Sequence, residues 1–111
     1  MAMSPIILTT VGVTTSNVWV PDFFKDVFNV GLQAIITGSP TYNIEFTLSD
    51  TLADGFTQAS AVWQPVSAGF TGATTNQWGA LIIPCRGIRI NQTAGASPNG
   101  VTLNIQQAGT R

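Results

Sequence analysis

Thr41-Tyr42-Asn43-Ile44-Glu45-Phe46-Thr47-Leu48 alternates polar and apolar residues without a break. A β-strand sends successive side chains to opposite faces. Tyr42, Ile44, Phe46 and Leu48 therefore share one face, and Asn43, Glu45 and Thr47 the other. Val101-Thr102-Leu103-Asn104-Ile105-Gln106 has the same period, with Val101, Leu103 and Ile105 on one side, and Ile88 and Ile90 alternate with Arg89 and Asn91.

Outward from these three strands the pattern weakens but keeps its type. Pro5 to Val11 is β-branched and apolar, Asn17 to Val20 runs up to Pro21, and Ala61 to Trp63 and Trp78 to Ile83 read as further short strands. Val30 to Thr37 is apolar and continuous, the pattern expected of a strand buried on both faces. Turn residues separate them at Gly38-Ser39-Pro40, Ala53-Asp54-Gly55, Gly69 to Thr75 and Gly95 to Gly100. No window of a dozen residues keeps a helical apolar stripe. Only Asp22 to Phe28 offers a short helical turn, and Thr51 to Gly79 reads as loops between short strands. The expected fold is all-β: a jelly-roll-like antiparallel β-sandwich of about eight short strands. Residues 1–111 form a single domain of this kind, with short flexible terminal arms.

Composition narrows the chemistry. The chain has no histidine and one cysteine, Cys85. A Ser-His-Asp triad, a His/Cys zinc site and an intrachain disulfide are thereby excluded, and Cys85 has no imidazole to make it a thiolate. Cys85 is read as a buried apolar residue. The acids Asp22, Asp26, Glu45, Asp50 and Asp54 form no metal-loop pattern. Lys25, Arg86, Arg89 and Arg111 are too few and too scattered to track a phosphate backbone. No enzymatic activity, cofactor, nucleic acid or small-molecule substrate is expected.

The N-terminal Met1-Ala2-Met3-Ser4-Pro5 has no signal-peptide pattern, and no apolar run approaches the ~20 residues that span a bilayer. The expectation is a protein made and kept in the cytosol, or carried in something assembled there, with no membrane partner.

Only 8 % of residues are charged, against ~25 % in ordinary soluble domains. Threonine, serine, asparagine and glutamine occupy the places of the missing charges. Short neutral polar groups cost less to strip of water than ions, which suits a surface that ends up against another protein.

Three features bear on partners. Glu45 and Arg89 stand on strictly alternating strands, opposite the apolar faces, and are read as pairing across neighbouring strands or across a subunit interface. The contact candidates are Ser4, Pro5, Ile6 and Ile7 at one terminus, Gln107 to Arg111 at the other, and Phe23, Phe24 and Arg86, all lying beside turns or outside the three strictly alternating strands. Trp19, Trp63 and Trp78 would make a sugar-stacking platform if they shared one exposed face; dispersed, they would serve as core plugs or interface anchors.

Several stretches carry a family likeness. Trp19-Val20-Pro21-Asp22, followed by Phe28-Asn29-Val30-Gly31-Leu32, resembles a stretch of small virion proteins of tailed bacteriophages. Thr41 to Asp50 with Trp63 downstream is similar to the central strand of that group. Ile88-Arg89-Ile90-Asn91 and the run from Gly100-Val101-Thr102-Leu103 to Gln107-Ala108-Gly109 resemble its closing hairpin. Within the group, length and composition are most similar to the capsid decoration (cement or staple) proteins of short-tailed phages such as Salmonella phage epsilon-fifteen.

The resemblance implies a jelly roll used as a homodimer on the outer surface of the virion, lying over contacts between neighbouring copies of the major capsid protein. A carbohydrate- or receptor-binding β module of a phage head or tail fibre is the alternative.

Overall fold

Turn residues cut the chain into eight strands: β1 (Ile6–Val11), β2 (Thr14–Thr15), β3 (Val30–Thr37), β4 (Thr41–Thr47), β5 (Trp63–Pro65), β6 (Gln77–Leu81), β7 (Gly87–Ala94) and β8 (Gly100–Gln107). The computed structural model describes residues 6–21 and 29–107. β1 pairs with β8, β2 with β7, β3 with β6 and β4 with β5, all antiparallel. That is the pairing of one long hairpin folded at the β4–β5 connection. Rolling it up adds the β3–β8 and β4–β7 pairs. The products are two four-stranded sheets, sheet I in the order β1-β8-β3-β6 and sheet II in the order β2-β7-β4-β5. This pairing scheme is the jelly roll.

The facing sides of the sheets make the core. Leu8, Val30, Leu32, Leu103 and Ile105 from sheet I meet Tyr42, Ile44, Ile88 and Ile90 from sheet II, all buried. Each such aliphatic side chain contributes roughly 1.5–3 kcal/mol by leaving water. Cys85 is buried with them, as its reading as an apolar residue expected.

Phe70, at the end of a 3₁₀ turn (Ala68–Phe70), packs beneath β6. Gly79 makes room for it, since a Cβ there would lie 3.1 Å from the ring. The buried polar groups are satisfied: the Thr10 hydroxyl donates to Gln92 Oε1 at 2.8 Å, and Gln92 Nε2 donates to the carbonyls of Gly95 (2.8 Å) and Asn99 (3.1 Å). One side chain thus ties β1 to β7 and pins the β7–β8 connection.

The structure departs from the sequence reading in five places, one being that the strand placed at Trp78 to Ile83 runs from Gln77 to Leu81 and leaves Ile82 and Ile83 exposed beyond it. β3 is not buried on both faces; Val30, Leu32 and Ala34 point inward while Gly31, Gln33 and Ile35 are exposed. Leu48 does not continue the inward row of β4, because the strand ends at Thr47 and Leu48 is 62 % exposed. The Asn17–Val20 strand reduces to one bridge, Trp19 to Ile88, while Thr14–Thr15 forms β2. The strand placed at Ala61 to Trp63 starts at Trp63 and runs to Pro65. The helical turn expected over Asp22 to Phe28 lies outside the described residues.

Candidate interaction surface

Sheet I carries no charged residue on any of its four strands. Register arranges its outer face into cross-strand rows. Ile7, Asn104, Gln33 and Trp78 form one row from β1 to β6, and Asn104 Nδ2 donates to Gln33 Oε1 at 3.3 Å. The next row toward the chain ends runs Gln106, Gly31, Ala80. Gly31 and Ala80 are the two smallest outward side chains of the sheet, and at Gly31, between Gln33, Gly79, Asn104 and Gln106, the surface dips into an open groove of about 440 Å³. Trp78 stands beside it at 84 % exposure, with Ile7 and Val11 also exposed at the far edge. An indole left in water on an uncharged face is the kind of group that anchors protein interfaces.

One end of sheet I holds the first and last described residues, Ile6 and Gln107. β1 begins at Ile6 opposite Ile105 of β8, and Val30, the first residue of β3, lies between Gln107 and Leu81. Exposed Ile82 and Ile83 follow Leu81 at the same end. Of the sequence-based contact candidates, Ile6 and Ile7 are placed here and are exposed, whereas the Gln107 side chain is buried. Ser4, Pro5, Phe23, Phe24 and Arg111 lie outside the described residues, as do residues 108–110.

Sheet II holds the described charges or lies beside them. Glu45 on β4 is directly opposite Arg89 on β7, with Arg89 Nε donating to Glu45 Oε1 at 2.9 Å. The pair is intramolecular, the first of the two arrangements the sequence allowed. Their side chains are only 11 % and 12 % exposed because the β4–β5 connection folds over them. Arg89 Nη1 donates to Gln58 Oε1 at 2.9 Å, and its guanidinium lies 4.2 Å from the centre of the Trp63 ring. Trp63 Nε1 donates to the Gln58 carbonyl at 2.9 Å, and Gln58 Nε2 to the Ser16 carbonyl at 3.1 Å.

Asn91 Nδ2 gives the second Glu45 oxygen a partner at 3.3 Å. Each charge is therefore surrounded by neutral groups of fitting polarity, which offsets much of the cost of burying it. Arg86 pairs with Asp50 at 3.3 Å, with side chains 36 % and 59 % exposed. Exposed Leu48, Leu52 and Val62 also occur on this side, but Asp50 and Asp54 are interleaved with them in sequence.

The three tryptophans do not share a face. Trp19 and Trp63 are half-buried against sheet II, and Trp78 stands alone on sheet I. Among the described residues no group of three or more His, Cys, Asp or Glu side chains is placed to hold a metal ion, and no helix is long and apolar enough to cross a membrane.

Jelly-roll topology and an uncharged outer sheet define the class: a two-sheet β-sandwich with one face suited to contact. Comparison with family models, with curated proteins and with solved structures finds no match.

Proposed function

We infer that this chain is a non-enzymatic bacteriophage capsid decoration protein, a cement or staple that sits on the outer surface of the virion and bridges neighbouring major capsid subunits as a homodimer. The observation that supports it is the partition of charge. Sheet I presents only neutral and apolar groups, including one exposed indole, while the charges placed by the structure are paired or lie on the sheet II side. A neutral sheet can be desolvated against a shell without stranding an ion.

A staple resists the outward load of packed DNA by adding contact across the joints between subunits. A dimer makes its second contact intramolecularly, at an effective concentration of order millimolar, so modest individual contacts release slowly. The dispersal of Trp19, Trp63 and Trp78 weighs against a shared sugar platform and therefore against the carbohydrate-binding alternative.

The test is co-sedimentation of purified protein with expanded, undecorated phage shells, run beside a glycan array. Saturable binding with raised heat resistance of the shells is expected. Binding to glycans and not to shells would overturn the reading.

A further inference from the structure

β6 is the outer strand of sheet I, and every second residue of an edge strand turns its N–H and C=O away from the sheet. Among the described residues, Gln77–Leu81 make no backbone hydrogen bond beyond their pairing with β3. The usual protections of an edge are missing: β6 has no charge, no proline and no register irregularity along its pairing with β3. The edges of sheet II are guarded by brevity, since β2 has two residues and β5 has three and ends in Pro65.

We propose that β6 pairs with β6 of a second copy of this chain about a two-fold axis through Gly79, joining two copies of sheet I into one continuous sheet, with Trp78 of each subunit seated over Ala80 and Gly31 of the other. The proposal gives the homodimer of the preceding section an interface, and it stands on geometry that does not depend on shell binding. Antiparallel pairing about Gly79 sets Trp78 against the partner's Ala80 and Gln77 against the partner's Leu81. An axis normal to the sheet keeps both outer faces on the same side, so the row from Trp78 continues across the partner's Ala80, Gly31 and Gln106.

The largest side chain of the face thus meets the two smallest. The groove at Gly31, about 440 Å³ and next to Ala80 in the row, has room for an indole. Self-association about a two-fold brings like residues together, and a face without charge meets no self-repulsion. The edge of β1 is also long and uncharged, but Ile7, Thr9 and Val11 provide no such large-to-small match.

Each Trp78, 84 % exposed in the single chain, would lose most of the ~150–250 Å² that a tryptophan buries. With the strand edge, the contact falls at the small end of specific interfaces, below the ~800 Å² per partner of a standard one. A dimer dissociating at roughly micromolar concentration follows.

The test is sedimentation equilibrium of the full chain over ~1–100 µM, a span that brackets such an interface. Wild-type protein is expected to pass from monomer to dimer, with Trp78 emission moving to shorter wavelength as it does. Trp78→Ala and Ala80→Glu should each weaken association at least ~10-fold, the scale of losing a buried aromatic anchor. Gly31→Leu should do the same by filling the groove. A Cβ at Gly31 meets only the Gln106 carbonyl at 3.7 Å, so that variant tests the groove without disturbing the fold.

Thr9→Glu on β1 should leave association unchanged. Monomer at every concentration, or a dimer indifferent to all three β6–β3 variants, overturns the proposal. So does a dimer broken by Thr9→Glu alone, or quenching of Trp78 by neutral oligosaccharides in a protein that stays monomeric. Loss of shell binding with the dimer intact would instead count against the decoration reading and leave this interface standing.

Discussion

Glu45 and Arg89 hold each other on the covered side of sheet II, and their value depends on both being present. Removing either leaves the other charged and nine-tenths buried, with neutral partners only. Glu45→Ala or Arg89→Ala is expected to cost about 2–4 kcal/mol, and the double variant clearly less than the sum, as for other buried pairs. A double-mutant cycle on urea unfolding checks this; additive effects would mean the two side chains act independently.

Burial pushes the Cys85 thiol up to about 11 from its ordinary 9.0, with a backbone hydrogen bond from Gly87 pulling the other way, and the Tyr42 hydroxyl up to about 12 from 10.0. The unfolded chain releases these protons earlier than the folded one. Between pH 9 and 11 the folded state therefore binds more protons at Cys85, and stability falls as pH rises. The contribution is complete below pH 9 and lost above 11. Urea midpoints measured across that range should decline, and Cys85→Ala should flatten the first part of the decline. At neutral pH a thiol reagent should label Cys85 only as fast as the sandwich opens.

At the scale of the strand, β8 lies between β1 and β3 and leaves little tolerance at its first residue. A Cβ on Gly100 would strike the Thr10 carbonyl oxygen, which is backbone and cannot swing aside. Gly100→Ala should lower stability by about 2–3 kcal/mol or more, read as a drop in melting temperature, through the distortion it forces on the β1–β8 ladder.

Strands with strict alternation were legible because a two-residue period has one meaning. Tyr42 to Thr47, Ile88 to Ile90 and Val101 to Ile105 carry it, and all three lie where their residues put them. β3 was misread because Gly31 and Ala34 count as neither clearly apolar nor polar, and Ile35 points out. An exposed apolar row looks the same in sequence as a buried one.

Leu48 fitted the period of β4, but periodicity does not mark where a ladder stops. The Glu45–Arg89 pair was visible as two charges on outward positions; its cover was not, since Gln58 reaches it through the geometry of the β4–β5 connection and Trp63 from the short edge strand β5. Trp78 was legible as a large aromatic residue, and the alternation of Trp78, Gly79 and Ala80 was the available sign of its setting. Its partner row, with Gly31 and Gln106, exists only once β3 lies between β6 and β8.

For the whole molecule, the decisive feature is asymmetry between two sheets of the same size. Sheet II is covered and polar on its outer side, stabilised by a network that uses the chain's own charges. Among the described residues, the outer side of sheet I is neutral and exposed. Two copies joined through β6 would double that bare surface without adding a charge, giving a plate suited to lie across a joint between shell subunits. Ile6 and Gln107 lie at one end of that plate, the end at which Ile82 and Ile83 follow β6. Replacing Ile82 and Ile83 with serine should leave the fold of the free protein intact, because both are exposed, and should reduce the amount that sediments with shells.

Hydroxyl-radical footprinting of the protein, first free and then with expanded shells, tests most directly which face makes the proposed contact. Protection on binding at Ile7, Val11 and Ile35 of sheet I, with Leu48, Leu52 and Val62 still reactive, is the predicted result. Protection confined to Leu48, Leu52 and Val62, with sheet I as reactive as before, would contradict the account.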